Sequence, residues 1–178
     1  MAATVQSSFW LLFGGFGCTA TTCASITSCL GTPIRASYGG LIRNSAWLFL
    51  KGFFGFIQAS TCILQAELTA ILEGLRLALN MGIEELVCFS DSQLSVNLFS
   101  GDVSKYHVYA VIIQDIKDII ASHNFRIFHT LREGNHCADF LAKLGASSNA
   151  ALLEHEAPPL DLIRKLKIDA MGTCFLRA

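Results

Sequence analysis

At 178 residues the chain is long enough for one domain with a full core, plus tails. Only 15% of its residues are charged, against roughly 25% in an average soluble domain, and a net charge of −1 excludes a global basic field of the kind that attracts nucleic acid, so any such binding rests on a local patch. Seven cysteines, an odd number without a CxxC pair, support neither a zinc site nor a disulfide framework and read as free thiols of a reducing, intracellular compartment.

Charge is unevenly spread. Residues 1–34 hold no Asp, Glu, Lys, Arg or His, and the first acid of the chain is Glu67. The apolar run Phe9-Trp10-Leu11-Leu12-Phe13 is broken by Gly14, Gly15 and Gly17. It falls short of the about 20 apolar residues of a spanning helix, and no basic region precedes it as in a secretory signal. No membrane association is therefore expected. Residues 1–28 read as an atypical apolar leader, 29–147 as the folded domain and 148–178 as a weakly packed C-terminal tail.

Within the domain, turn-rich Leu30-Gly31-Thr32-Pro33 precedes a strand over residues 37–43, a turn at Asn44-Ser45 and a second strand reaching Ile57, which together predict an antiparallel hairpin. Residues 63–81 follow the helical period through Leu64, Leu68, Ile71, Leu72, Leu75 and Leu79, with Gly82 as a C-terminal stop. A buried strand over 85–90 leads to a helix over 92–99. A longer helix over 108–122 turns Val111, Ile112, Ile116, Ile119 and Ile120 inward. A strand over 125–131 and a short helix over 135–144 complete the order. Alternation of helix and strand after residue 63 implies right-handed crossovers and parallel strands. The preceding hairpin makes the sheet mixed, so the class is α/β with helices on both faces.

Three acids stand out by position. Glu67 lies at the margin of its helix's apolar stripe, on the side of Ile71, whereas Glu73 falls opposite and can pair with Arg76. Asp91 ends a buried strand at the carboxyl edge of the sheet, where open α/β sheets place ligand sites. Asp139 lies in the first turn of the last helix behind Asn135, a good N-cap residue. Each also has a plain structural reading. Glu67 serves as a half-exposed surface acid. Asp91 supports a Ser90–Gln93 capping box, and Asp139 compensates a helix dipole. Spacing alone leaves both readings open. Taken together, acids on a helix, a strand end and a helix start can converge on one sheet edge. Carboxylates so placed stay ionised only around cations.

Ordered motifs add a resemblance. Leu30-Gly31-Thr32-Pro33 with Tyr38-Gly39-Gly40-Leu41-Ile42-Arg43 resembles the "LGNPG…GGLIRN" stretch of plant, retroelement-type ribonuclease H-like domains. Gln65-Ala66-Glu67-Leu68 resembles their "QAEL", and Phe89-Ser90-Asp91-Ser92 their "ESDS". The run Arg132-Glu133-Gly134-Asn135 to Lys143 resembles their "REgNxxADxLAK". The match runs from about residue 28 to 147. It implies a ribonuclease H-like, five-stranded mixed sheet in a monomeric domain that acts on nucleic acid. The implied activity is a Mg²⁺-dependent endonucleolytic hydrolysis of RNA in an RNA–DNA hybrid, at a two-metal site. By this resemblance Glu67, Asp91 and Asp139 are metal ligands and Asn135 orients the site. Arg132, ranked above His129, stands near the scissile phosphate. Gly39, Gly40 and Arg43 lie where relatives contact the nucleic-acid backbone.

One departure bears on activity. The family's first strand ends in an acid shortly before its "LGNPG", and Ile26 occupies that place here, with no acid upstream of Glu67. The resemblance therefore implies a hybrid ribonuclease with an incomplete metal site and impaired catalysis. The alternative is a non-catalytic interaction module or a retroelement relic that keeps the fold.

Overall fold

A computed structural model of the chain describes residues 18–27, 35–58, 60, 62–101, 107–148 and 150–170. Residues 1–17 of the expected leader and the Leu30–Pro33 turn lie outside the described residues. Twelve elements follow one another: β1 (Cys18–Thr27), β2 (Arg35–Arg43), β3 (Phe49–Ile57), α1 (Ile63–Asn80), β4 (Glu85–Ser90), α2 (Gln93–Ser100), α3 (Ala110–Ser122), β5 (Asn124–His129), a 3₁₀ turn at Arg132–Gly134, α4 (His136–Ser147), β6 (Leu153–His155) and α5 (Leu160–Ala170). The strands form one mixed sheet in the order β5-β4-β1-β2-β3-β6. β1, β2 and β3 run antiparallel in sequence, while β4 lies parallel to β1 and β5 parallel to β4.

Two expectations are corrected here. The sheet has six strands rather than five, because β6, from the supposed tail, pairs antiparallel with β3. The stretch assigned to a leader also supplies β1, which lies between β2 and β4 near the middle of the sheet. A strand covered on both faces needs no charge and tolerates none. That accounts for its composition, and its Ala20, Thr22 and Ala24 are buried. Small side chains there hid the strand from a search for large alternating apolar residues.

The two faces carry separate cores. On one, α1 lays Leu68, Ile71, Leu72 and Leu75 against Ala20, Ile42, Phe53 and Leu86, with Ile113 and Ile116 of α3 behind. Val111, expected inward, is 78% exposed, and Ile113 takes the buried position instead. The α1 terminus is as the glycine predicted: Gly82 has φ +69° and the Ile83 amide donates to the Ala78 carbonyl at 3.0 Å. On the other face, α4 packs Cys137, Ala138 and Leu141 against Leu41 and Phe54, with Leu162 of α5 completing the cluster. This helix rests directly on backbone, since a Cβ at Gly39 would come within 2.5 Å of the Ala142 amide nitrogen and one at Gly145 within 2.3 Å of the Gly55 carbonyl oxygen. Among the described residues no helix is long and apolar enough to cross a membrane.

Candidate active site

The last register pair between β1 and β4 is Thr22 with Ser90. Past that point β4 ends, and two backbone groups of β1 take side chains as partners. The Thr22 carbonyl accepts from Asn135 Nδ2 at 2.8 Å, and the Ala24 amide donates to Glu67 Oε1 at 3.2 Å. Asn135 Nδ2 also donates to Asp91 Oδ1 at 3.0 Å. Glu67 from α1, Asp91 beyond β4 and Asn135 at the start of α4 thus meet at one sheet edge. The fold explains each placement: α1 buries the face that carries Glu67, β4 delivers Asp91 at its carboxyl end, and the 3₁₀ turn aims Asn135 inward.

Burial governs the electrostatics. Glu67 is 5% exposed, and its carboxyl is pushed up from 4.5 to about 8, first by desolvation and second by the neighbouring Asp91 charge. The Ala24 amide and the Arg132 guanidinium pull weakly the other way. Buried oxygens without a hydrogen bond point to a missing partner. Glu67 Oε2, Asn135 Oδ1 and Asp139 Oδ1 are three such atoms.

Asp139 is placed differently. It lies one helical turn beyond Asn135, with its amide donating to the Asn135 carbonyl at 3.0 Å. Its Oδ2 accepts from Lys143 Nζ at 2.5 Å, and Arg132 stands 3.9 Å from its Oδ1, too far for a hydrogen bond. Among the described residues no three of His, Cys, Asp and Glu group closely enough to hold a metal ion. Glu67 and Asp91 are electrostatic neighbours, while Asp139, the third expected ligand, is paired with Lys143. Arg132 is 72% exposed. His129 ends β5 opposite Ser90 and is exposed.

Further corrections follow from burial and register. Gly39 and Gly40 are buried within β2, Gly39 under α4, and Arg43 is 4% exposed and bonded to Asp169. None of these three is exposed. Asn135 precedes α4 but makes no cap bond, since its side chain is spent on Thr22 and Asp91. The helix after Asp91 is capped by Ser92, which accepts from the Ser95 amide, and not by a box from Ser90. The residue of β1 that stands between Thr22 and Ala24 is Cys23, opposite Gly39. Ile26 lies opposite Ala36, three residues farther on, or about 10 Å along a strand. Ile26, where the resemblance places the missing acid, thus lies beyond the stretch of β1 that Glu67 and Asn135 bind. Sequence reasoning missed the roles of Thr22 and Ala24 because they act through backbone groups, which no residue type announces.

A family model described as reverse transcriptase-like matches residues 27–145. An Arabidopsis thaliana protein that carries a provisional ribonuclease H name is 26% identical over 145 residues, 80% of this chain but 23% of that protein, so the chain spans about a quarter of its relative's length. Solved structures share the fold. Ribonuclease H1 of the archaeon Halobacterium salinarum superposes with a TM-score of 0.63 at 21% identity, over 73% of this chain and 97% of that one. A compost metagenome ribonuclease H1 in complex with an RNA/DNA hybrid gives 0.62 at 22% identity, over 73% and 96%. The foamy viral protease–reverse transcriptase with an RNA/DNA hybrid gives 0.63 at 15% identity, over 74% of this chain and 20% of that one. The chain belongs to the reverse transcriptase-like family and has the ribonuclease H fold.

Proposed function

We propose that this chain is a nucleic-acid-binding domain that takes RNA–DNA hybrids at the β1–β4 edge, with a ribonuclease H-type site whose catalysis is impaired. The observation that carries the reading is the buried Glu67 beside the half-buried Asp91, which Asn135 holds, with an unpartnered oxygen on Glu67. Two carboxylates driven together at such cost make sense beside a cation. An all-oxygen pair suits Mg²⁺, which is commonly held by one or two carboxylates, waters and substrate phosphates. Glu67 and Asp91 would hold one such ion. When bound, the ion polarises phosphate oxygens and lowers the pKa of bound water.

The protein's own groups supply the rest. Asn135 fixes the Asp91 carboxylate by donating to Oδ1 while it anchors on Thr22. Arg132, exposed at the rim, offers a fork of donors to a phosphate. Lys143 neutralises Asp139 until a stronger cation competes for it. Hybrid recognition draws on the 2′-hydroxyl, which distinguishes RNA from DNA. A missing ligand from β1 lowers the rate by roughly 10²–10⁴, or about 3–5 kcal/mol of transition-state stabilisation. The second reading, a fold-keeping module without chemistry, is favoured by the Lys143–Asp139 and Arg132–Asp139 pairs, which occupy one acid with cations of the chain itself.

The test is cleavage of an RNA–DNA hybrid in Mg²⁺ by the unmodified chain, Cys23→Asp and Ile26→Asp, with Asp91→Asn as the blank. Impaired catalysis predicts activity close to the blank for the unmodified chain and a clear gain for Cys23→Asp alone. Robust cleavage by the unmodified chain refutes the impairment. Hybrid binding without cleavage by any variant supports the module.

A further inference from the structure

Helix α5 lies outside the matched residues 27–145. It is nevertheless docked firmly on α4. Leu162 is fully buried, Leu166 packs beside it, and Asp169 forms a 2.9 Å ion pair with the buried Arg43. The pair lies against Cys137, whose thiol is pushed up to about 12 by burial and then by Asp169. These anchors at 162, 166 and 169 follow the helical period, so Arg164 and Lys167 fall on the outward side, where both are exposed. Lys165 projects sideways, with Nζ 5.9 Å from the centre of the Phe140 ring, next in sequence to Asp139.

Most other described cations are already engaged. Arg43, Lys51, Arg76, Arg132 and Lys143 each stand within ion-pair distance of an acid. No described acid pairs with Arg164, Lys165 or Lys167. Because Asp169 contacts Cys137 at the start of α4 and Lys165 contacts Phe140, α5 runs antiparallel to α4 and lies along its first turns, next to Asn135 and Asp139. A chain of net charge −1 thus carries three cations without a described acid partner on the helix beside those turns. Arg132 and Lys143 flank the same turns.

We infer that α5 is a phosphate-tracking surface, in which Arg164, Lys165 and Lys167 bind the backbone of the nucleic acid that enters the β1–β4 edge. This rests on the nucleic-acid reading above and deepens it. It supplies the local patch that composition alone demanded. The contacts are electrostatic and carry no sequence preference, so they should release counterions on binding.

The experiment is binding of a fluorescent RNA–DNA hybrid, read by anisotropy across a salt series without divalent ions. It compares the unmodified chain, the triple variant Arg164→Gln/Lys165→Gln/Lys167→Gln, and Arg76→Gln on the α1–α3 side. Each lost phosphate contact removes about 0.7–0.9 from the slope of log affinity against log salt. The triple variant should lose about 2 in slope and at least about tenfold in low-salt affinity, while Arg76→Gln leaves the slope unchanged. Should the triple variant lose helicity, the outermost pair Arg164→Gln/Lys167→Gln carries the same comparison. An unaltered slope in the triple variant, or an equal loss in Arg76→Gln, overturns the α5 surface and leaves the nucleic-acid reading standing. Absence of any salt-dependent hybrid binding by the unmodified chain overturns both.

Discussion

Replacing Glu67 by Gln should make the protein more stable at neutral pH. The carboxyl ionises near 8 in the folded chain against 4.5 in the unfolded one, because burial and Asp91 both disfavour its charge. An acid of this kind binds its proton more tightly when folded. Its penalty is absent below about pH 4.5, grows as pH rises, and levels off above about 8. At roughly 1.4 kcal/mol per unit, the full penalty approaches 5 kcal/mol, and about 3 kcal/mol of it is present at pH 7. Gln keeps the acceptor for the Ala24 amide and carries no charge, so it should gain about that much at pH 7 and nothing at pH 4. Urea unfolding in the presence of a chelator, at several pH values, reads the difference directly. Millimolar Mg²⁺ should then stabilise the unmodified chain and not the variant, since only a carboxylate pair attracts the ion. A stability difference that stays flat with pH would refute the buried Glu67–Asp91 coupling on which the site rests.

Other perturbations test the surrounding frame. Asn135→Ala removes the bonds to the Thr22 carbonyl and Asp91 and should cost about 2–4 kcal/mol in denaturant unfolding. Gly39→Ala forces a methyl group against the α4 backbone at Ala142 and should cost at least about 2 kcal/mol, seen as a lowered thermal midpoint. Arg43→Ala strands Asp169 in a half-buried setting and should cost about 3–5 kcal/mol, with part of the loss recovered in the Arg43→Ala/Asp169→Ala double variant. A neutral Arg43→Ala would mean that α5 does not dock through this pair.

Much of the layout was legible. The 3.6-residue period of α1, the apolar run of β4 and the Gly82 stop mark elements strongly because each follows from a local rule, and α1, β4 and the Gly82 turn all form as read. Glu67, Asp91 and Asn135 were also legible as candidates, since motif order placed them on a helix, a strand end and a helix start. What escaped depended on tertiary pairing. β1 has Ile26 as its one large apolar residue because α1 and α4 crowd it from both faces, and small side chains give no strong alternation. That Ile26 lies beyond the stretch of β1 bound by Asn135 and Glu67 is a matter of tertiary placement, which no local pattern announces. Arg43 looked like a surface cation because its partner, Asp169, lies 126 residues away.

The site's most familiar-looking residues are also the ones with structural duties. Glu67 and Asn135 replace the ladder partners that β1 loses where β4 ends, and an unpaired buried amide or carbonyl there would cost about 1–3 kcal/mol each. The fold therefore has its own reason to hold these two side chains, whether or not the chain cuts RNA. Asp139 and Arg132 have no such reason: one is held aside by Lys143, and the other is largely exposed. Removing either should barely affect folding, within about 0.5 kcal/mol for Arg132→Ala. An effect of Arg132→Ala on hybrid affinity at unchanged stability would thus speak for nucleic-acid binding in a way that no Glu67 or Asn135 variant can, because those two act on the fold and the site at once.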